Sequence, residues 1–169
     1  MKFRFWPLLC IVAGTGILLA VLVSCLPLAV PRLLGYEVYG VVSGSMEPGI
    51  PVGSVVYVEK TAPEEIADGD IIAFHKNGDV VTHRAVRNRI VEGEFVTKGD
   101  ANAEADPVTA RYEDLIGRVV FHIPLIGKLL VLYGSGLGKF YAVCFAACGA
   151  MLNMLAGRLR ARSREAAEE

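Results

Sequence analysis

Leu8 to Val30 is a run of 23 residues with no charged side chain, and nothing else in the chain restricts its fold as strongly. A helix of that length, at ~1.5 Å per residue, crosses the ~30 Å hydrocarbon layer of a bilayer. The run is too long for the roughly 7–15-residue core of a cleavable signal peptide. Pro31 also directly follows Ala29 and Val30, where a cleavage site would otherwise be read. A retained anchor over residues 8–30 is therefore expected. Phe140 to Ala156 is a second uncharged run, of 17 residues, with Asn153 as its one strongly polar side chain and Lys139 placed to reach the interface. Lys2 and Arg4 precede the first run; Arg158, Arg160, Arg162 and Arg164 follow the second. Cytoplasmic flanks carry such an excess of basic residues. Residues 1–7 and the charged tail 157–169 are thus expected inside, and the segment 31–139 outside.

That segment reads as mainly β. Val, Ile, Tyr, Phe and Thr crowd residues 36–42, 54–60, 70–76, 79–91, 94–98 and 116–123. Asn77-Gly78 between two such runs signals a type I′ hairpin, because both central positions need positive φ. Residues 91–95 read as the next turn. Thr61, with Pro63 and Glu64 following, suggests the N-cap of a short helical turn. Closely spaced hairpins predict a small antiparallel β-barrel or sandwich flanked by N- and C-terminal transmembrane helices. All four cysteines, Cys10, Cys25, Cys144 and Cys148, fall in the apolar runs, so the fold of the β segment rests on core burial alone. Cys144 and Cys148 share a helix face, which suits small-residue packing in lipid better than a metal site. A net charge of −1 gives no field for nucleic acid, and no metal or organic cofactor is expected.

The chemistry concentrates in four places. "VVSGSMEPGIPVG", residues 41–53, puts Ser43 and Ser45 in a turn shortly after the first apolar run. A serine there exposes its hydroxyl and its own N–H to one point, but it needs a base within hydrogen-bond reach. Of the three histidines, His75 borders the Asn77-Gly78 turn and His122 precedes Ile123-Pro124. His83 lies mid-strand in "VVTHRAV", on one face with Val81 and Ala85. By itself such a histidine reads as a sheet residue satisfied by a neighbour. Asp100 and Asp106 lie in the polar loop "KGDANAEADP", where a carboxylate by itself often only makes a turn.

Taken in order, "SGSMEP", "GDIIAF", "VTHRAV" and "KGDANAEAD" resemble the type I signal peptidases. More narrowly, the chain is similar to the branch shared by endoplasmic-reticulum, archaeal and SipW-like bacterial enzymes, over about residues 36–127. The resemblance implies a membrane-bound serine endopeptidase that removes N-terminal signal peptides from exported preproteins after Ala-x-Ala-like sites. It implies Ser45 as nucleophile, His83 as general base where the commoner bacterial branch uses lysine, and Ser43 as an oxyanion donor beside the Ser45 N–H. Asp106 would orient His83, with Asp100 as the rival for that role or a support of the loop. Its partners would be preproteins bearing signal peptides, met near the secretory translocon at the bilayer.

The exchange of base has a physical consequence. A lysine must drop from ~10.4 by roughly two or three units to act at neutral pH, which demands a desolvating pocket, whereas an imidazole starts near ~6.5. The 14 residues between Val30 and Ser45 span at most ~46 Å at ~3.3 Å each. The serine is therefore leashed near the outer bilayer face, where a signal peptide ends its apolar helix. The competing readings are a non-catalytic membrane-anchored β-domain that binds exported chains or a family member that has lost activity, and a self-cleaving repressor-like serine peptidase. The latter uses lysine and usually has no anchor.

Overall fold

The computed structural model describes residues 5–168. Its elements in chain order are α1 (Phe5–Leu33), β1 (Glu37–Gly40), β2 (Val55–Glu59), β3 (Ile71–Lys76), β4 (Asp79–Arg89), β5 (Glu94–Lys98), β6 (Ala110–Arg111), β7 (Leu115–Ile123), α2 (Gly127–Gly134) and α3 (Gly136–Glu168). The chain divides into two units. One holds the helical chain up to Pro27 and from Leu132 onward; the other is Leu28–Val131.

Residues 28–131 carry a single seven-stranded antiparallel sheet, ordered β1-β2-β7-β3-β4-β5-β6. The expected barrel or sandwich is corrected to one open sheet. β1 and β6 remain edges, and at four and two residues they are too short to pair across a closure. Asn77 and Gly78 have φ of 54° and 89°, as a type I′ turn requires, and they set the β3–β4 register of Lys76 opposite Asp79. Extra twist enters at register shifts in β2, in β3 and between Ala85 and Arg87 of β4. The period of two sorts β3 between two cores. Ile72 and Phe74 join Ile66, Ala85, Phe95 and Ala110, while Ala73 joins Met46, Ile50, Val56 and Val58. That explains why "IIAF" and "VVYV" are continuously apolar: both faces are buried.

Two local expectations change. The 3₁₀ turn Pro63–Glu65 takes Ala62 as its N-cap, while the Thr61 hydroxyl donates to the Glu59 carbonyl, 3.0 Å away. The chain after β7 forms α2, and α3 continues as helix well past Ala156, so residues 157–168 extend the helix beyond its apolar stretch. Lys2, Arg4 and Glu169 lie outside the described residues.

Two helices are long and apolar enough to cross a membrane, Phe5–Leu33 with mean hydropathy 2.6 over its most apolar 18 residues and Gly136–Ser163 with 1.6. Their apolar side chains are mostly exposed, Trp6, Val12 and Val23 on one and Phe140, Val143 and Met151 on the other. A core helix of a water-soluble protein would bury them. The two helices meet at paired glycines. A Cβ on Gly14 would lie 2.7 Å from the Gly149 carbonyl oxygen, and one on Gly149 would lie 2.8 Å from that of Gly14. Beside this crossing the Thr15 hydroxyl reaches Asn153 Oδ1 at 3.4 Å, which accounts for the one strongly polar residue of the second run. Gly149→Leu should therefore destabilise the detergent-solubilised protein by about 1–3 kcal/mol, seen as a lower Tm. Gly16→Leu, where nothing lies within 4 Å of an added Cβ, should leave Tm in place; equal losses from the two would show that the close approach does not matter.

Candidate active site

The serine pair sits in the loop between β1 and β2. Its neck is closed by Val41 N–H on the Ser54 carbonyl and Gly53 N–H on the Val41 carbonyl, both 2.9 Å. Met46 and Ile50, 1% and 0% exposed, plug the loop into the core. That leaves Ser43 exposed and Ser45 half-buried at the surface. The two hydroxyl oxygens are 3.4 Å apart. The Ser45 carbonyl accepts Ala101 N–H at 2.9 Å, and the Ser45 N–H has no acceptor among the described residues. The end of β5 supports this turn from behind: a Cβ on Gly99 would lie 2.5 Å from the Ser45 carbonyl oxygen, so only glycine allows that approach.

His83 is buried on β4, with Nδ1 2.5 Å from Asp106 Oδ2; the two side chains are 10% and 8% exposed. In the tautomer with its proton on Nδ1, the ring donates to this carboxylate and leaves Nε2 as a free acceptor. Thr97 Oγ1 donates to the same Oδ2 at 2.7 Å, and Asp106 N–H donates to the Thr97 carbonyl at 2.8 Å. Asp100 turns elsewhere. It accepts two bonds from Arg84, Nε to Oδ1 at 2.8 Å and Nη2 to Oδ2 at 2.6 Å. A third Arg84 nitrogen donates to the Gly69 carbonyl at 2.7 Å. Hydrogen bonding to Asp100, against the opposing effect of burial, raises the guanidinium pKa above its ordinary value.

Serines and imidazole border one cleft of about 320 Å³. Residues 40–43, Ser45 and Met46 form one side, and residues 80–83 with Lys76 the other. The first side is the end of β1 at Gly40 and the loop that follows it, and the second is an edge of β4. β1 pairs only with β2, and Val80 to His83 pair only with β3, because β5 joins β4 from Arg84 onward. No hydrogen bond joins Ser45 Oγ to the imidazole; catalytic contacts in substrate-free sites are often long and tighten on binding. Three larger hollows among the described residues lack this combination. One of about 460 Å³ beside residues 32–39 has neither serine nor histidine, and one of about 680 Å³ on α3 has two thiols without histidine or carboxylate.

The structure thus brings Ser43, Ser45 and His83 to one cleft and Asp106 to His83, and it separates Asp100 into an ion pair with Arg84. His75 is exposed, His122 half-buried, and neither borders the cleft. Lys76 borders it as well. Thr97 carried no signal beyond its place in a strand. A hint was available, since a threonine on the buried face of a strand must find a partner.

Residues 14–120, a range that includes Ser45, His83 and Asp106, match the protein family described as signal peptidase, peptidase S26. The chain is 39% identical over 90 residues to signal peptidase I W of Bacillus subtilis (strain 168), a match covering 50% of this chain and 47% of that protein. It is 30% identical over 125 residues to the signal peptidase complex catalytic subunit of Ogataea parapolymorpha, 61% of this chain and 70% of the fungal one. For the corresponding subunit of Sclerotinia sclerotiorum the figures are 34% over 106 residues, 54% and 60%. The chain spans about half the length of the Bacillus relative.

Proposed function

The chain belongs to the signal peptidase family, peptidase S26, on the branch of the SipW-like and endoplasmic-reticulum enzymes, and from this premise we propose that it is a membrane-bound serine endopeptidase that removes N-terminal signal peptides from exported preproteins. One observation carries the reading: a single cleft is bordered by Ser43 and Ser45 on one side and by an imidazole tied to a carboxylate on the other.

Ser45 Oγ attacks the scissile carbonyl carbon while its proton passes to His83 Nε2. The carbonyl oxygen becomes an anion that accepts from the Ser45 N–H and the Ser43 hydroxyl. The C–N bond then breaks as the imidazolium returns the proton to the departing amine, leaving an ester on Ser45. Water, deprotonated by the same imidazole, hydrolyses the ester. Asp106 accepts from Nδ1–H through both steps and so holds the ring in place. The unpaired edge of β4 at residues 80–83 supports binding of the preprotein as an added strand, with small side chains of an Ala-x-Ala-like site against the valines of the cleft walls.

The apolar runs 8–30 and 140–156 cross the bilayer, with the sheet on the extracytoplasmic or luminal face. The short leash from Val30 to Ser45 supports this placement, since it keeps the site where a signal peptide emerges near the translocon.

The test uses the full chain in phospholipid vesicles with a preprotein carrying an Ala-x-Ala site. Mass spectrometry should find a cut after the second alanine. A histidine base works only when neutral, so its contribution is present above the imidazole range and lost as pH falls through it. The rate should drop by roughly tenfold or more between pH 7.5 and 5, as general-base catalysis by an imidazole requires. A rate level down to pH 5 would exclude an imidazole base.

A further inference from the structure

Thr97 has no counterpart in the roles argued above, yet it is fully buried and holds Asp106 twice, by its hydroxyl and by its carbonyl. Resting on the serine-peptidase reading, we propose that Thr97 is a positioning residue of the reaction: its hydroxyl pins Asp106 Oδ2 against His83 Nδ1 and so keeps Nε2 aimed at the nucleophile.

The surroundings of the carboxylate carry the argument. Among the described residues, Asp106 Oδ2 has two side-chain donors, His83 Nδ1 and Thr97 Oγ1, and Oδ1 has none. The neighbouring cations are engaged elsewhere, Arg84 with Asp100 and Lys98 with the Ala103 carbonyl. Before the imidazole takes a proton, then, a nearly buried carboxylate faces a neutral ring and one hydroxyl. The Thr97 O–H is half of what solvates that anion. It is also what fixes the rotation of the carboxylate, because the backbone bond from Asp106 N–H leaves the side-chain torsions free. Thr97 pairs with Ala85, two residues beyond His83 on β4, so the sheet itself sets the spacing between hydroxyl and imidazole. A β-branched apolar residue would fill the same space and satisfy the strand equally well. The hydroxyl is the part that packing alone does not require.

Thr97→Val keeps the shape and the backbone bond to Asp106 N–H and removes only the O–H; Thr97→Ser restores it. Full-length variants in phospholipid vesicles are assayed on the Ala-x-Ala preprotein for kcat and KM, with Tm measured beside them. The valine variant should lose about 10- to 100-fold in kcat, as for a lost hydrogen bond to a charged group. KM should stay within about twofold, and serine should recover most of the rate. In an Asp106→Asn background the same valine change should cost little further, because both act through one contact. A valine variant within about twofold of the parent kcat overturns the proposal. So do equal losses from valine and serine, which would indicate packing, or a full additional loss in the Asp106→Asn background. Ser45→Ala, run in parallel, separates the two levels. If it leaves cleavage intact, the serine-peptidase reading falls and takes this role with it; if it abolishes cleavage while Thr97→Val changes nothing, only the role of Thr97 falls.

Discussion

Ser45→Ala should yield a chain that folds, inserts and still binds preprotein, yet cleaves it about 10⁵- to 10⁶-fold more slowly than the parent, as for loss of a serine nucleophile. The size of the effect follows from what remains. Strand edges, the Ser43 hydroxyl and the imidazole all persist, so substrate is held and the oxyanion site is partly present, but no atom is left to form the ester. Stability should hardly move. Ser45 is half-buried in a loop, its side chain makes one long contact, and the anchoring of the loop belongs to Met46 and Ile50. A surface change of this kind shifts stability by about 0.5 kcal/mol or less. Ser43→Ala keeps the nucleophile and removes one donor, so its loss should be smaller, about 10²- to 10³-fold. The ordering distinguishes catalysis from binding. A β-domain that only captured exported chains would keep its affinity in both variants and have no rate to lose. Processing assays with pull-down of the same preprotein decide between them, and a Ser45→Ala variant that still processes at the parent rate removes the serine from the mechanism.

The sequence made some parts of this site legible because they are local. Asn77-Gly78 demands positive φ whatever surrounds it, so the β3–β4 hairpin and its register could be read directly, and with them the face of β4 that His83 shares. The serine turn was legible for a similar reason: glycine, proline and two hydroxyls after an apolar run have few other uses. Closure of the sheet was not local. It depended on whether the edges were long enough to pair, and β6, two residues within a polar stretch, leaves no alternating pattern to detect. Thr61 satisfies the composition of an N-cap, but its hydroxyl bonds backward to Glu59, a competition that composition does not settle. The partner of His83 was harder still. Asp100 and Asp106 share one loop and one chemistry, and what separates them is where the chain has folded back, with Arg84 at one and Thr97 at the other.

That separation sets the second large effect. Asp106→Asn should lower kcat by about 10⁴-fold, the loss expected when the residue that fixes the histidine tautomer becomes an amide. Asparagine matches the shape of aspartate, but it can turn an N–H toward Nδ1, which forces the ring proton to Nε2 and blocks the atom that must accept from Ser45. Thermal stability should change little, because the amide nitrogen that replaces Oδ2 can donate one N–H to Nδ1 and the other to the Thr97 hydroxyl oxygen, which then accepts. Asp100→Asn should show the opposite pattern. It removes the charge from a two-point bond to Arg84 whose partners are 38% and 17% exposed, so solvent screening limits the loss to about 1–2 kcal/mol, read as a lower Tm. The rate should fall less than about tenfold, through loosening of the loop whose Ala101 N–H braces the Ser45 carbonyl. Both variants are assayed on one Ala-x-Ala peptide, with kcat and Tm taken from the same preparation. If the large kcat loss follows Asp100→Asn instead, the carboxylates have exchanged roles and the His83–Asp106 contact is only a packing bond.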